Sequence, residues 1–430
     1  MRIAPILDEW NEYAAKKALI PRDLPLDVVI GSSKNKIVTL TGVRRSGKSS
    51  LLMLILQRLI SKGESATFVN AEDSRLKNEP DLLDQVIKRF GDEGFLLIDE
   101  ITAAKDWDGW LARMHELAKD HLHIIVTSSR SNIRTPSRPL RGRSVYFDVL
   151  PLSYQERLRF TGVKAERTTV GKGKLERALE DHLRYGGFPE VVLQKTELER
   201  VRILSEYQRE ILALDVAGAT GTDPALVDLF GKYLLQSPYF SATACLNFLK
   251  SVGFKIGKDK ILELEKAAGD SMLFHFLQIH SMSVKDRTQY PRKVYAGDVG
   301  LHHAILGTGD MGRRMENLVC LELMRKMLPG EQLRYWKDRS GAEVDFVVLR
   351  GLEAVKAVQV CYDLANERTL RRELTGLSKC SAELKAKYRL LINMDRDEVV
   401  EHEGVEIKML PLLDWLMLSS ATSATPSGGH

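Results

Sequence analysis

Residues 42–50 read GVRRSGKSS, set between the apolar runs IVTLT (37–41) and LLMLIL (51–56). Gly42, Val43, Arg44, Arg45, Ser46, Gly47, Lys48 and Ser49 match G-x-x-x-x-G-K-[ST] at every fixed position, and Ser50 continues into the apolar run. The pattern has a physical meaning. Glycines allow the backbone to wrap a polyphosphate so that successive N–H groups face its oxygens. The helix that follows adds the partial positive charge of its N-terminus. Lys48 supplies a cation to the phosphates, and the Ser49 hydroxyl is placed to ligate Mg²⁺. Such a loop needs a buried strand before it and a helix after it. KIVTLTG and SSLLMLILQRLISKG predict both, with Gly63 as the helix C-terminal cap. A chance glycine-rich turn would lack that context, so these residues predict a nucleotide site.

The surrounding chain is ordinary in composition. Its 430 residues suggest two to three domains, and 44% hydrophobic with 28% charged residues suits a globular protein. No apolar run approaches the roughly 20 residues of a membrane span, and the N-terminus lacks the apolar stretch of a signal peptide. Cys245, Cys320, Cys361 and Cys380 lie far apart without metal-ligand spacing, which predicts reduced thiols in a cytoplasmic protein. A net charge of +5 permits a polyanionic partner without demanding one. The terminal SSATSATPSGGH is small and polar and predicts no structure.

Two downstream strands extend the site. GFLLIDEI (94–101) is apolar and ends in two acids, as the central strand of a parallel sheet does. Asp99 at its C-terminal edge is placed to hold Mg²⁺, and Glu100 to orient or deprotonate an attacking water. An ordinary strand followed by a solvated acidic turn is the alternative. HLHIIVTSSRS (121–131) predicts another apolar strand, where Thr127 or Ser128 would reach the γ-phosphate or the water. Hydroxyls there also serve as plain turn or cap residues. Between the two, KDWDGWLARMHELAKD predicts an amphipathic helix with Trp107, Trp110 and Leu111 in the core.

RSNIRTPSRPLRGR (130–143) carries five arginines and no acid. Three readings compete: an arginine completing a neighbouring subunit's site, contacts to nucleic-acid phosphates, and a solvated basic loop.

Together GVRRSGKSSLL, FLLIDEI, IIVTSS, LRGR followed by LPLSYQE, and YGGFPEVV resemble AAA-type P-loop ATPases with a C-terminal DUF4143-like region, relatives of the AAA+ and STAND NTPases. The resemblance spans roughly residues 20–415. It implies catalytic roles for Lys48 and Glu100, a sensor-like Thr127 or Ser128, and finger arginines at Arg141 and Arg143. It implies adenine contacts at Pro21 and Arg22, and a nucleotide contact from the lid through Pro189 in the GGFP stretch, with Arg184 as a second sensor. ATP as the nucleotide is also implied by the resemblance; no N/TKxD-type guanine reader follows the acidic strand.

The expected architecture is α/β: a P-loop AAA+-like parallel sheet (1–155) with a helical lid (156–222), a winged helix-turn-helix (223–290), a restriction-nuclease-like α/β domain (291–418) and a disordered tail (419–430). The middle assignment rests on three short helices followed by the strand-like LFHFLQIHS. Its third helix is nearly neutral and lacks the residues that read base edges, which argues against sequence-specific recognition. Backbone contacts from Arg287, Arg292, Lys293, Arg313 and Arg314 would remain. In the last domain the nuclease-like resemblance points to Glu316, Asp345 and then Gln359-Val360-Cys361, where a Glu-x-Lys pair would stand. Losing that pair predicts no nuclease activity. The functional expectation is an ATP- and Mg²⁺-dependent homo-oligomer acting on structured or branched DNA, such as a Holliday junction or fork. A STAND-like switch that times protein assembly without DNA is the alternative.

Overall fold

The computed structural model describes residues 3–77, 79–129, 133, 140–166, 168–307 and 310–418, with the backbone of 427–428. The chain divides into two compact units, Met1–Leu150 with the terminal Ala424–His430, and Pro151–Ser423.

The first unit opens with helices α1 (Ala4–Lys16) and α2 (Leu26–Ser33). Strand β1 (Ile37–Thr41) leads through the glycine loop into α3 (Lys48–Ser61), then β2 (Ala66–Asn70), α4 (Leu82–Phe90), β3 (Gly94–Asp99), α5 (Trp107–Ala118), β4 (Leu122–Ser128) and β5 (Ser144–Asp148). All five strands are parallel, in the order β5-β1-β4-β3-β2. Strand alternation explains the continuous apolar runs. On one face Phe95, Leu97, Ile125, Val38 and Leu40 meet Leu51, Leu52, Ile55 and Leu56 of α3. On the other, Leu96, Ile98, Ile124 and Val126 meet Val86 of α4 and Trp110 and Leu111 of α5. Trp107 is partly buried against the same face. β1 therefore enters the phosphate loop from the middle of the sheet, and β3 and β4 end beside it. Ser427 and Gly428, in the tail expected to be unstructured, pair antiparallel with Tyr146 and Val145, the open edge of β5.

The second unit begins with α6 (Tyr154–Thr161), α7 (Thr169–Tyr185) and the single turn α8 (Pro189–Val192). Next, α9 (Glu197–Ile211) runs through a π segment (Leu212–Ala217) into the short α10 (Gly218–Thr220). Helix α11 (Pro224–Gln236), strand β6 (Tyr239–Phe240), helices α12 (Ala242–Ser251) and α13 (Lys258–Asp270), strand β7 (Phe274–Leu277), helix α14 (Val284–Gln289) and strand β8 (Arg292–Ala296) make one module. Its antiparallel sheet has the order β6-β8-β7. β8 is thus its central strand, so the sequence boundary at 290–291 cuts through a sheet. An apolar-alternating strand carries no mark of which neighbour it will pair with.

Helices α15 (Gly300–Leu306) and α16 (Met311–Arg325) lead into β9 (Glu331–Lys337), β10 (Glu343–Arg350), β11 (Glu353–Val360), α17 (Glu367–Leu384), β12 (Tyr388–Asn393), β13 (Glu398–His402), β14 (Val405–Pro411) and α18 (Leu412–Met417). The mixed sheet runs β13-β14-β12-β11-β10-β9. Met315, Val319 and Cys320 of α16 pack on Tyr335, Phe346 and Val358, whereas Leu374, Leu377 and Cys380 of α17 pack on Val344, Val347 and Leu391. The four cysteines are free thiols, as expected.

Candidate functional site

The loop from Gly42 to Ser49 needs glycine at two points. Gly47 caps α3 with φ 97°, in the left-handed region. A Cβ on Gly42 would sit 2.2 Å from the Val149 carbonyl oxygen and 2.9 Å from Ser46 Oγ. Arg45 also adopts positive φ, 68°, within the turn. Arg44 forms an ion pair with Glu72 at 3.6 Å. Lys48 is buried, and its ammonium donates to the carbonyls of Gly42 at 3.0 Å and Val43 at 3.2 Å. Ser46 Oγ is buried with no hydrogen-bond partner among the described residues, inside a loop whose backbone curls around it.

The carboxylates at the end of β3 are held by β4. Thr127 Oγ1 donates to Asp99 Oδ1 at 2.6 Å, and the Glu100 backbone N–H donates to the same oxygen of Thr127 at 2.8 Å. Burial pushes the Asp99 carboxyl up to about 6, against hydrogen bonds from Thr127 and Ser49 that favour its charged form. Glu100 leaves the strand with φ 49° and ψ 56°, a conformation uncommon for a residue with a side chain. That turn aims its carboxylate back over the loop. Its Oε1 lies 3.6 Å from the Lys48 ammonium, while Oε2 accepts from the Ser129 N–H at 3.0 Å and the Ser129 hydroxyl at 3.2 Å.

Lys48, Ser49, Asp99, Glu100 and Thr127 therefore come together as the sequence suggests. Thr127 hydrogen-bonds both acids, and Ser128 beside it is buried as well. Ser129, absent from the sequence reading, holds Glu100. Ser129 directly follows β4, and the run of hydroxyls after that apolar strand was the usable signal.

The remaining candidates are more dispersed. Arg22 grips the loop from outside, donating to Ser46 O and Leu150 O, both at 2.9 Å. With Pro21 it lines a pocket of about 280 Å³ formed with Leu26, Leu54, Gln57, Arg58 and Ser61. Arg143 pairs with Glu116 at 3.1 Å, and Arg141 is exposed. Arg130, Arg134 and Arg138 lie outside the described residues.

In the second unit Pro189 opens α8, and the GGFP turn before it is gripped internally. Arg157 donates to Gly186 O at 2.9 Å, Asp298 accepts from Gly187 N at 2.7 Å, and Leu152 N donates to Gly187 O at 2.7 Å. A Cβ on Gly186 would lie 1.6 Å from Asp298 Oδ1. Arg184 is exposed and 3.8 Å from Glu197.

Several residues read as contacts to nucleic-acid phosphates are internal instead. Lys293 and Arg314 are buried. Arg313 donates to Leu234 O, Gln236 O and Ser237 O, capping the C-terminus of α11. Arg292 pairs with Glu265 at 2.6 Å, and Arg287 donates to Ser281 O. A basic side chain looks solvent-facing in sequence, and only tertiary packing shows its burial. Glu316 and Asp345 do converge, both on the Lys293 ammonium. Gln359 accepts from Asp345 N and donates to Glu373, whereas Cys361 turns to Asp363 O. Among the described residues no helix is long and apolar enough to cross a membrane.

Three segments of the chain match known domain families. Residues 34–158 match an AAA domain, 176–312 a domain of unknown function, DUF8612, and 311–413 another, DUF4143. The uncharacterized protein MJ1544 of Methanocaldococcus jannaschii is 29% identical over 433 residues, covering 95% of this chain and 93% of its own. An uncharacterized protein of Haemophilus influenzae is 26% identical over 419 residues, covering 93% and 99%. Among solved structures, AMPPCP-bound DnaA from Aquifex aeolicus overlaps 56% of this chain and 81% of its own at 15% identity and TM-score 0.28. A STAND protein from Pyrococcus horikoshii, PH0952, overlaps 73% and 47% at 13% identity and TM-score 0.28. The chain therefore carries an AAA domain, with the phosphate loop and paired acids at the C-terminal edge of a five-stranded parallel sheet, followed by a C-terminal DUF4143 region.

Proposed function

We propose that this chain binds and hydrolyses ATP at the loop formed by Gly42 to Ser50. The observation that carries the reading is the position of Glu100, with one oxygen held by Ser129 and the other 3.6 Å from the loop lysine. Such a carboxylate can take a proton from water as the water oxygen attacks the γ-phosphorus and the bond to the β-phosphate oxygen breaks, releasing ADP. Lys48, resting on the loop's own carbonyls, would turn its ammonium to the β/γ-phosphates.

Mg²⁺ fits the donors present. Ser49 and Asp99 are hard oxygen groups joined by a hydrogen bond, and a cation would relieve the cost that burial places on ionised Asp99. When bound, the ion would neutralise phosphate charge. Pro21 and Arg22 on the adenine side, Pro189 from the lid, and Thr127 with Ser128 near the γ-phosphate complete the proposed nucleotide contacts. Arg141, exposed, and Arg143 are the proposed arginines completing a neighbouring subunit's site in a homo-oligomer.

The proposed work is remodelling of structured or branched DNA. Reading α11 to β8 as a winged helix supports this proposal, as do Lys250, Lys255, Lys258, Lys266 and Lys285, which are exposed along that stretch. The stretch α16-β9-β10-β11-α17-β12 is read as a restriction-nuclease-like core, in which the lost Glu-x-Lys pair argues against cleavage. One observation favours the alternative, a nucleotide switch acting on protein partners: Lys293 and Arg314, read as phosphate contacts, are buried.

Steady-state ATP hydrolysis, alone and with linear, forked and four-way DNA, tests these readings. Turnover abolished by Glu100→Gln supports the ATPase, and turnover absent from the parent protein, or unaffected by that change, overturns it. Stimulation by branched DNA supports the remodeller; indifference to every DNA supports the switch.

A further inference from the structure

The GGFP turn before α8 is held by a residue 111 positions further along the chain. Asp298, which follows β8, is 1% exposed, and its two carboxylate oxygens serve two different segments. Oδ1 accepts from the Gly300 N–H at 2.8 Å, at the start of α15. Oδ2 accepts from the Gly187 N–H at 2.7 Å, and the Phe188 N–H also favours the charged carboxylate. Arg157, equally buried, takes the Gly186 carbonyl at 2.9 Å and lies 3.5 Å from Asp181. The two segments approach closely, since a Cβ on Gly300 would lie 2.5 Å from the Tyr185 carbonyl oxygen.

An aspartate that only turned the chain into α15 would need one oxygen, as an Asx turn does. Here the second oxygen reaches a distant backbone. A carboxylate removed from water is costly, and burial pushes Asp298 up to about 6 against its N–H donors. An apolar side chain would fill the place at lower cost. What the acid supplies is shape, because two acceptors at fixed spacing set where Gly187 and Gly300 stand. Pro189 opens α8 two residues after Gly187, so the orientation of the turn sets that of Pro189.

We propose that Asp298 is a positioning residue for the nucleotide, a role that rests on the reading of Pro189 as a nucleotide contact. It fixes the GGFP turn in the shape from which Pro189 meets ATP, and it makes that turn and the chain after β8 open or close together.

The test uses the full chain with Mg²⁺ and a fluorescent ATP analogue. Asp298→Asn keeps the size of the side chain but puts an NH₂ where one acceptor stood. Affinity should fall about tenfold, the scale of one lost hydrogen bond, in Asp298→Asn and in Pro189→Ala alike. Their double variant should bind no more weakly than either, because both act through one contact. Steady-state turnover of Asp298→Asn should show KM raised and kcat near the parent value. Parent-like binding by Asp298→Asn, or losses that add in the double variant, overturns the proposal and leaves Pro189 as a contact. Parent-like binding by Pro189→Ala overturns the reading beneath it, and the proposal with it. If Asp298→Asn does not fold, hydrogen exchange of the parent chain decides. A non-hydrolysable ATP analogue should slow exchange over 185–192 and 297–301 together, because opening either segment frees both. Slowing over one segment alone overturns the clamp, and slowing over neither overturns the Pro189 contact as well.

Discussion

Thr127 stands 2.6 Å from Asp99 and uses its one hydroxyl twice, donating to that carboxylate while accepting from the N–H of Glu100. One side chain of β4 thus orients both acids at the end of β3. Replacing Thr127 by Val keeps the shape and leaves a buried carboxylate and a backbone N–H without that partner. Each such loss costs about 1–3 kcal/mol. Thr127→Val should lower the denaturation midpoint and reduce ATP turnover together; a variant with unchanged stability would show that the hydroxyl is dispensable.

Ser129 hydrogen-bonds the catalytic candidate Glu100. Its hydroxyl and N–H both reach Glu100 Oε2, so Ser129→Ala removes one of two anchors. We expect kcat to fall by about tenfold, the scale of one lost hydrogen bond at 1.4 kcal/mol per decade, with nucleotide affinity unchanged. A rise in KM alone would instead place Ser129 in substrate binding.

Asp99 makes a pH signature. Burial raises its pKa to about 6 in the folded chain, above the ordinary value near 4 of the unfolded chain. Between those values the folded state holds the proton and the unfolded state does not, so this group's contribution to stability is present below about pH 4 and is lost as pH rises through 6. Asp99→Asn should therefore flatten that part of the pH–stability curve in nucleotide-free protein and raise the melting temperature at pH 7.5, while abolishing turnover. A melting temperature that falls at pH 7.5 would contradict the assignment.

Gly42 admits no side chain. With Val149 O 2.2 Å from any added Cβ, Gly42→Ala must displace the loop or the chain after β5. Titration with a fluorescent ATP analogue should show affinity reduced by at least about 100-fold, the equivalent of 2.7 kcal/mol. Near-native binding would mean that Val149 yields easily.

If the sites are shared between subunits, mixing Lys48→Ala chains with Arg141→Ala chains should restore turnover that neither has alone. Arg143, already paired with Glu116, serves as the comparison. Mixtures that remain inactive would assign these arginines to another role or to their own subunit.

The phosphate loop, the paired acids and the apolar strands β1, β3 and β4 were legible because each depends on neighbours in the chain. Glycine positions encode backbone freedom, and an unbroken apolar strand encodes burial on both faces. Legibility stopped where direction and pairing mattered. Thr127 and Ser128 looked equivalent in the sequence, and only the folded chain shows Thr127 on Asp99 and Ser129 on Glu100. Lys293 read as a surface cation, and β8 as the start of the last domain. Only the pairing of β8 between β6 and β7, and its approach to α16 and β10, turned that lysine inward among three carboxylates. The sequence by itself determined the glycine loop between β1 and α3 and the acids that end β3, which short local motifs specify. The tertiary structure decided how Thr127 and Ser129 hold the acids and where the buried charges meet, because those contacts join segments whose relative placement no local pattern encodes.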